Sequence, residues 1–282
     1  MTAWSDRRIE SHLMDTTRRF GGLERVYGVG GAANIRAAHV AVVGIGGVGS
    51  WAVEALARSG VGRLTLIDLD HVSESNINRQ IHALDSTLGQ AKVLAMRDRI
   101  AQINPGCHVT CIDEFVEPSN WPGLLPEGVE AVLDACDQVK AKTAMAAWAL
   151  KSKALFVSVG AAGGKRQAHR VDIDDLSLTT HDPLLAQMRY RLRKEHAAPR
   201  LGKKIGVVCV FSREAVAAPD ASRAIGGSAE GDGSLNCHGY GSVVSVTATF
   251  GQCAAGWLMD QLSRRTSSKD GSEGAGKNDA II

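Results

Sequence analysis

The spacing of apolar positions along this chain switches repeatedly between a strand-like and a helix-like period. His39 to Val43 (HVAVV) is a short apolar run that flows into glycine, as a buried parallel strand does. From Gly47 to Ser59 the pattern is helical, with Val48, Ala52, Ala55 and Leu56 on one face. Arg63 to Asp68 (RLTLID) reads as a second strand. Gly89 to Ile103 is an amphipathic helix, with Val93, Met96 and Ile100 inward and Arg97 and Asp98 outward. Further strands are predicted at Cys107 to Ile112, Ala131 to Leu133 and Ala154 to Val159, with a helix over Lys140 to Ser152. Strands that alternate with helices in this way predict an α/β fold, a Rossmann-like doubly wound and mainly parallel sheet.

The flanks read differently. Residues 20–38 alternate glycine with helical patches and form an N-terminal helical lead. Gly160 to Gly164 (GAAGG) breaks the alternation and opens an insertion over about 165–240. Within it a strand (Gln167 to Ile173), a polar helix (Pro183 to His196) and a strand (Lys204 to Phe211) are expected, then a mobile segment at 217–238. Gly241 to Leu262 returns as a core helix, and 264–282 has no periodicity and is expected to be a disordered tail. The expectation is one domain over 1–263, without internal repeats.

Composition narrows this picture. At 282 residues and 44% hydrophobic content, the chain can bury the core of one large α/β domain. A net charge of +2 does not mark a nucleic-acid binder, so local charge must carry that argument. The six cysteines (Cys107, Cys111, Cys136, Cys209, Cys237 and Cys253) contain no C-x-x-C pair, and are read as reduced thiols rather than a zinc site. The N-terminus lacks an apolar leader and no run of about 20 apolar residues occurs. A cytoplasmic protein without membrane association is expected.

The chemistry concentrates between Gly44 and Asp137. Gly44-Ile45-Gly46-Gly47-Val48-Gly49 follows a strand and opens a helix, where backbone amides and the helix N-terminus can receive phosphate. Asp68, at the end of the second strand, can accept hydrogen bonds from ribose hydroxyls. To this point a dinucleotide enzyme fits equally well. The loop from Asp68 to Gln80 (DLDHVSESNINRQ) breaks the tie, because it carries acids, amides and an arginine that a dinucleotide has no use for. Arg79 can neutralise phosphate, and Asp70, if free, could hold magnesium. Lys92 lies near the start of the next helix; taken alone it would read as a solvated lysine. Asp137 ends the strand bearing Asp134-Ala135-Cys136-Asp137, on the side of the sheet where such folds bind ligands; it can also cap the helix that follows.

Together these residues resemble the superfamily of ubiquitin-activating enzymes and their bacterial relatives in thiamine and molybdopterin synthesis. The resemblance implies ATP binding and an acyl-adenylate product. By position it implies that Gly44, Gly46, Gly47 and Gly49 line the phosphates, with Asp68 on the ribose and Asp70 and Gln80 in the same site. It further implies that Asn76, Arg79 and Lys92 act on the phosphates, and Asp137 on Mg²⁺. Arg79, Lys92 and Asp137 are the catalytic candidates. Outside this core, Arg19 to Gly22, Arg25 to Gly28, Asn78 to Leu84, Gly206 to Ser212 and Val246 to Gly251 resemble one subgroup, the tRNA threonylcarbamoyladenosine dehydratases.

For that subgroup the resemblance implies a tRNA substrate, ATP-driven ring closure with net loss of water, and a homodimer in which Arg19 or Arg25 reaches the partner's ATP. A sulfur-transfer partner, or adenylation of a ubiquitin-like sulfur carrier, is the competing implication; the absence of C-x-x-C pairs counts against a carrier substrate. Cys237 stands where the superfamily often carries a thioester-forming cysteine, yet an intramolecular ring closure needs no enzyme nucleophile, so Cys237 is expected to be dispensable. Met188 to Lys204 holds seven cationic residues, Arg189, Arg191, Arg193, Lys194, Arg200, Lys203 and Lys204, against Glu195 alone, and is expected to touch tRNA phosphate.

Overall fold

The computed structural model describes residues 16–200, 202–218 and 240–265. Seven strands form one sheet in the order β3-β2-β1-β4-β5-β7-β6: β1 (His39–Val43), β2 (Arg63–Ile67), β3 (His108–Ile112), β4 (Ala131–Asp134), β5 (Leu155–Val159), β6 (Val171–Asp175) and β7 (Val208–Ser212). All neighbours are parallel except β6 and β7. The chain winds from β1 outward to β3, then crosses back to β4 and β5. The order therefore reverses between β1 and β4, the point at which doubly wound sheets open a ligand crevice.

Alternation within the strands gives the sheet two apolar faces. Val40 and Val42 of β1 join one core with Leu64, Leu66 and Leu133, while Ala41 and Val43 join another with Val132 and Phe156. The first face is covered by α3 (Gly49–Arg58), α4 (Lys92–Ile103) and α7 (Val244–Ser263), with α2 (Gly22–Ala37) outside them. The second is covered by α5 (Val139–Ser152) and α6 (Pro183–Glu195). Leading into α2 is one short helix, α1 (Thr16–Phe20). At the far end Arg265 pairs with Glu130, so the packed chain reaches past Ser263.

The expected segment boundaries shift in the insertion. β6 begins at Val171 rather than Gln167, because Ala168–Arg170 makes a tight turn first. β7 runs over Val208–Ser212, not from Lys204. Asp175 explains the later start: its carboxylate accepts from the amides of Ile205 and Gly206 and holds that approach as a loop. Both strands extend the main sheet itself. The expected segment at 219–238 and the tail from 266 lie outside the described residues.

Candidate active site

The turn after β1 is shaped by what cannot fit there. Gly44 has φ of +83°, and a Cβ on it would meet the backbone of Ala135 and Cys136 at 2.8–2.9 Å. A Cβ on Gly49 would lie 1.7 Å from the Gly44 carbonyl oxygen. The glycine loop thus packs directly on the β4–α5 turn that carries Asp137. Its amides lead into the N-terminus of α3, favourable ground for phosphate.

Asp68 ties this loop to the next one. One carboxylate oxygen accepts from the Ile45 amide at 2.6 Å and the other from the Asp70 amide at 2.8 Å. Burial pushes its carboxyl up, while Lys92 and the two amides pull it back toward the charged form. Asp70 is not free: Lys92 Nζ donates to it at 2.6 Å, and the Lys92 amide donates to its carbonyl. Lys92 is buried at the first position of α4, not solvated, while Asp70 remains half-exposed.

Arg79 and Gln80 close the other side of the loop. A Cβ on Gly47 would stand 3.3 Å from Arg79 Cγ, and one on Gly46 would stand 4.0 Å from Gln80 Nε2. The Arg79 guanidinium donates to the Ser75 carbonyl at 2.7 Å and the Asn78 side chain at 3.0 Å. Its own carbonyl is fastened by Trp51 of α3 at 2.9 Å and by Thr247 of α7. Gln80 is buried, and its Oε1 accepts no bond among the described residues. Asn76 is also buried; its side chain accepts from the Ser73 amide and shapes the turn before Arg79.

Asp137 is exposed at the end of β4, and α5 begins after Gln138 without a side-chain cap, so the capping role falls away. Beneath it lies a network that the sequence pattern did not single out. Lys142 and Asp134 are both fully buried and meet at 2.9 Å; Lys142 also donates to the Cys136 carbonyl, and Ser158 donates to Asp134 at 2.6 Å. Burial alone would lower the Lys142 pKa, but Asp134 holds it above its ordinary value. Burial pushes the Cys136 thiol well up, so it is no nucleophile. The available signal was a Lys eight residues after a strand-ending Asp, one turn into the helix that follows, which brings it back under the turn.

A glycine cradle at a strand-order reversal, bounded by a buried Lys–Asp pair, a fastened Arg and a free terminal Asp, matches the ThiF family model across residues 18–272. The chain belongs to the ThiF family. Within that family it is 44% identical over 250 residues to a tRNA threonylcarbamoyladenosine dehydratase of Escherichia coli, covering 87% of this chain and 93% of that protein. A solved structure of the E. coli tRNA N6-threonylcarbamoyladenosine dehydratase in complex with ATP matches with a TM-score of 0.79 at 41% identity, covering 88% of this chain and 96% of that one. Similarity to the molybdopterin-synthase adenylyltransferase of Salmonella typhimurium, 38% identical over 128 residues, covers only 45% of this chain and 51% of that protein.

The remaining candidates of this ThiF-family chain fall away from the cradle or outside the described residues. Arg19 donates to the Ile103 carbonyl at the C-terminus of α4, at the opposite end of the sheet from the glycine loop. Arg25 is exposed on α2 beside Val26 and Val29, which are 75% and 70% exposed, and no bond engages it among the described residues. Cys237 lies outside the described residues. In the basic stretch, Arg189 is engaged: its guanidinium donates to Leu176 and Thr179, and burial lowers its pKa. Arg193 donates to the Pro199 carbonyl. Lys194, Arg200, Lys203 and Lys204 remain exposed. Among the described residues no group of three or more His, Cys, Asp or Glu could hold a metal, and no helix is long and apolar enough to cross a membrane.

Proposed function

We propose that this chain is an ATP-dependent tRNA threonylcarbamoyladenosine dehydratase that activates its substrate carboxylate by adenylation. The observation that carries the reading is the similarity to the E. coli dehydratase over 87% of this chain and 93% of that protein. Adenylation of a sulfur-carrier protein is the weaker reading, since the adenylyltransferase similarity spans less than half of this chain.

A carboxylate resists attack because its leaving oxygen is too basic. In the proposed reaction a carboxylate oxygen of the threonylcarbamoyl group attacks the α-phosphate of ATP and pyrophosphate leaves. The ureido oxygen of the same group then attacks the acyl-adenylate, AMP leaves with the carboxylate oxygen, and the ring closes with net loss of water. Held in place, such an intramolecular attack gains effective molarities of about 10⁵ M or more. The task of the protein is to neutralise phosphate, align the two oxygens and exclude water.

The amides around Gly44, Gly46, Gly47 and Gly49 suit the phosphates, and Asp68 retains lone pairs for ribose hydroxyls. Arg79 and Lys92 are the cations that would meet charge developing on the triphosphate as it breaks, with Asn76 and Gln80 ordering the same loop. The exposed carboxylate of Asp137 fits Mg²⁺, which takes one or two carboxylates together with substrate phosphates and water. When bound, Mg²⁺ would neutralise pyrophosphate as it leaves.

A single adenylating domain over 1–263 works on tRNA in the cytoplasm, and a sulfur-transfer partner is compatible with it. The chain pairs as a homodimer through α2, with Arg25 rather than Arg19 reaching the partner's ATP, because Arg19 is engaged within its own subunit. A monomeric mass in solution contradicts the pairing. The activity is tested by pyrophosphate release. It should be stimulated by tRNA carrying threonylcarbamoyladenosine, and not by unmodified tRNA or by a small protein ending in Gly-Gly; stimulation by the protein alone overturns the reading.

A further inference from the structure

On the sheet face away from α3 and α7, a groove of about 790 Å³ runs between α5 and α6. Its floor is aromatic. Trp148 of α5, partly exposed, stands edge-to-face on Trp121 with ring centroids 5.4 Å apart and an interplanar angle of 88°. Its walls are basic: Lys140 and Lys151 from α5, and Arg191 with His196 from the α6 side. Glu195 is the one acid lining it, and it is already paired with Arg191. The polar equipment is therefore almost all donors.

The placement matters as much as the composition. Lys140 lies three residues after Asp137, at the carboxyl end of the sheet where the nucleotide cradle opens. Lys151 lies three turns further along α5. The groove thus starts beside the cradle and leads away from it for about 15–20 Å, at 1.5 Å per helical residue.

We infer that this groove binds single-stranded RNA of the tRNA substrate, a nucleobase stacking on Trp148 and the flanking phosphates lying on Lys140, Lys151 and Arg191. The inference rests on the tRNA reading given above. Cations beside a partly exposed tryptophan are what an unstacked strand requires, because every base has a face to stack and every phosphate an acceptor to offer. A neutral peptide would leave the lysines unmatched, and an acidic one could pair with them but would bring no base to stack on Trp148. The groove does not depend on Arg189, whose guanidinium is engaged elsewhere. It draws Arg191, Glu195 and His196 from the basic stretch, while Lys140, Trp148 and Lys151 come from α5.

The test is tRNA affinity measured across a range of salt concentrations for wild type, for Lys140→Ala/Lys151→Ala/Arg191→Ala and for Trp148→Ala, with Trp148→Phe as the conservative variant. The triple variant should bind more weakly, with a log-log salt slope flatter by about one unit for every phosphate left without its cation. Trp148→Ala should bind about tenfold more weakly with its salt slope unchanged, and Trp148→Phe should recover most of that. Tryptophan fluorescence of the wild type should be quenched on binding, and less so in Trp148→Phe. ATP affinity should be unchanged in all of them. Wild-type affinity and slope in the triple and Trp148→Ala variants, while wild type still dehydrates tRNA, overturns the groove and leaves the dehydratase reading standing. A change of oligomeric mass with unchanged tRNA affinity means the groove seats a second copy instead, and also overturns it. Failure of wild type to bind tRNA at all overturns both.

Discussion

At the scale of single residues, the proposed active site depends on side chains whose surroundings decide their roles. Lys92 looks like a surface lysine on its own, yet it is buried, and its ammonium donates to Asp70 at 2.6 Å, which fixes where it points. Arg79 holds its place through Trp51 and Thr247 on its carbonyl, leaving the guanidinium only exposed bonds to exchange for phosphate. Replacing either Arg79 or Lys92 by Ala should lower tRNA-dependent ATP turnover by more than tenfold, at least about 1.4 kcal/mol of transition-state stabilisation. A smaller loss in steady-state assays removes the residue from the mechanism. Gly44 and Arg79 were legible from type and spacing. That Arg189 is engaged and Asp70 paired was not, because a charge count does not reveal which donors the backbone claims.

His82 gives a prediction of another kind. It is buried with both ring nitrogens unpartnered among the described residues, and burial first, then Lys92 and Arg99, lowers its pKa from 6.5 to about 4. The unfolded chain therefore binds the proton more tightly than the folded one between those values, and stability is lost as pH falls through that window. Urea unfolding should show stability declining by up to about 3 kcal/mol from near pH 6.5 to near pH 4 through this group, and the decline should flatten in His82→Gln. An equally steep decline in His82→Gln assigns the effect to other groups.

At the scale of elements, the β4–α5 turn decides whether the cradle keeps its shape. Gly44 has no room for a Cβ because Ala135 and Cys136 lie against it, and that turn is held from below by the buried Lys142–Asp134 pair with Ser158. Lys142→Met would leave Asp134 buried and unpaired, at a cost of about 3–5 kcal/mol in urea unfolding. Adding Asp134→Asn should recover part of the loss, and a stable single variant contradicts this account. The sequence pattern located β1, β2 and α4 well because each is strongly periodic. It misplaced the starts of β6 and β7, where Asp175 ties up the amides of Ile205 and Gly206 and long-range pairing sets the ends. Local pattern carries no trace of such a distant partner.

At the scale of the whole molecule, one sheet serves two ends. Its strand-order reversal opens the crevice beside the glycine loop, and β7 and β6, with α6, widen the same sheet beyond β5. In the proposed function, that continuity lets the nucleotide crevice and the added strands act on one large substrate. The central claim is that this protein removes water from a tRNA nucleoside at the expense of ATP. It is tested most directly by incubating tRNA that carries threonylcarbamoyladenosine with the protein and ATP, digesting the tRNA, and weighing its nucleosides. The account predicts that the modified adenosine loses the mass of one water, only when ATP is present and with AMP formed alongside. An unchanged nucleoside mass under conditions in which the protein binds both ATP and tRNA would contradict it.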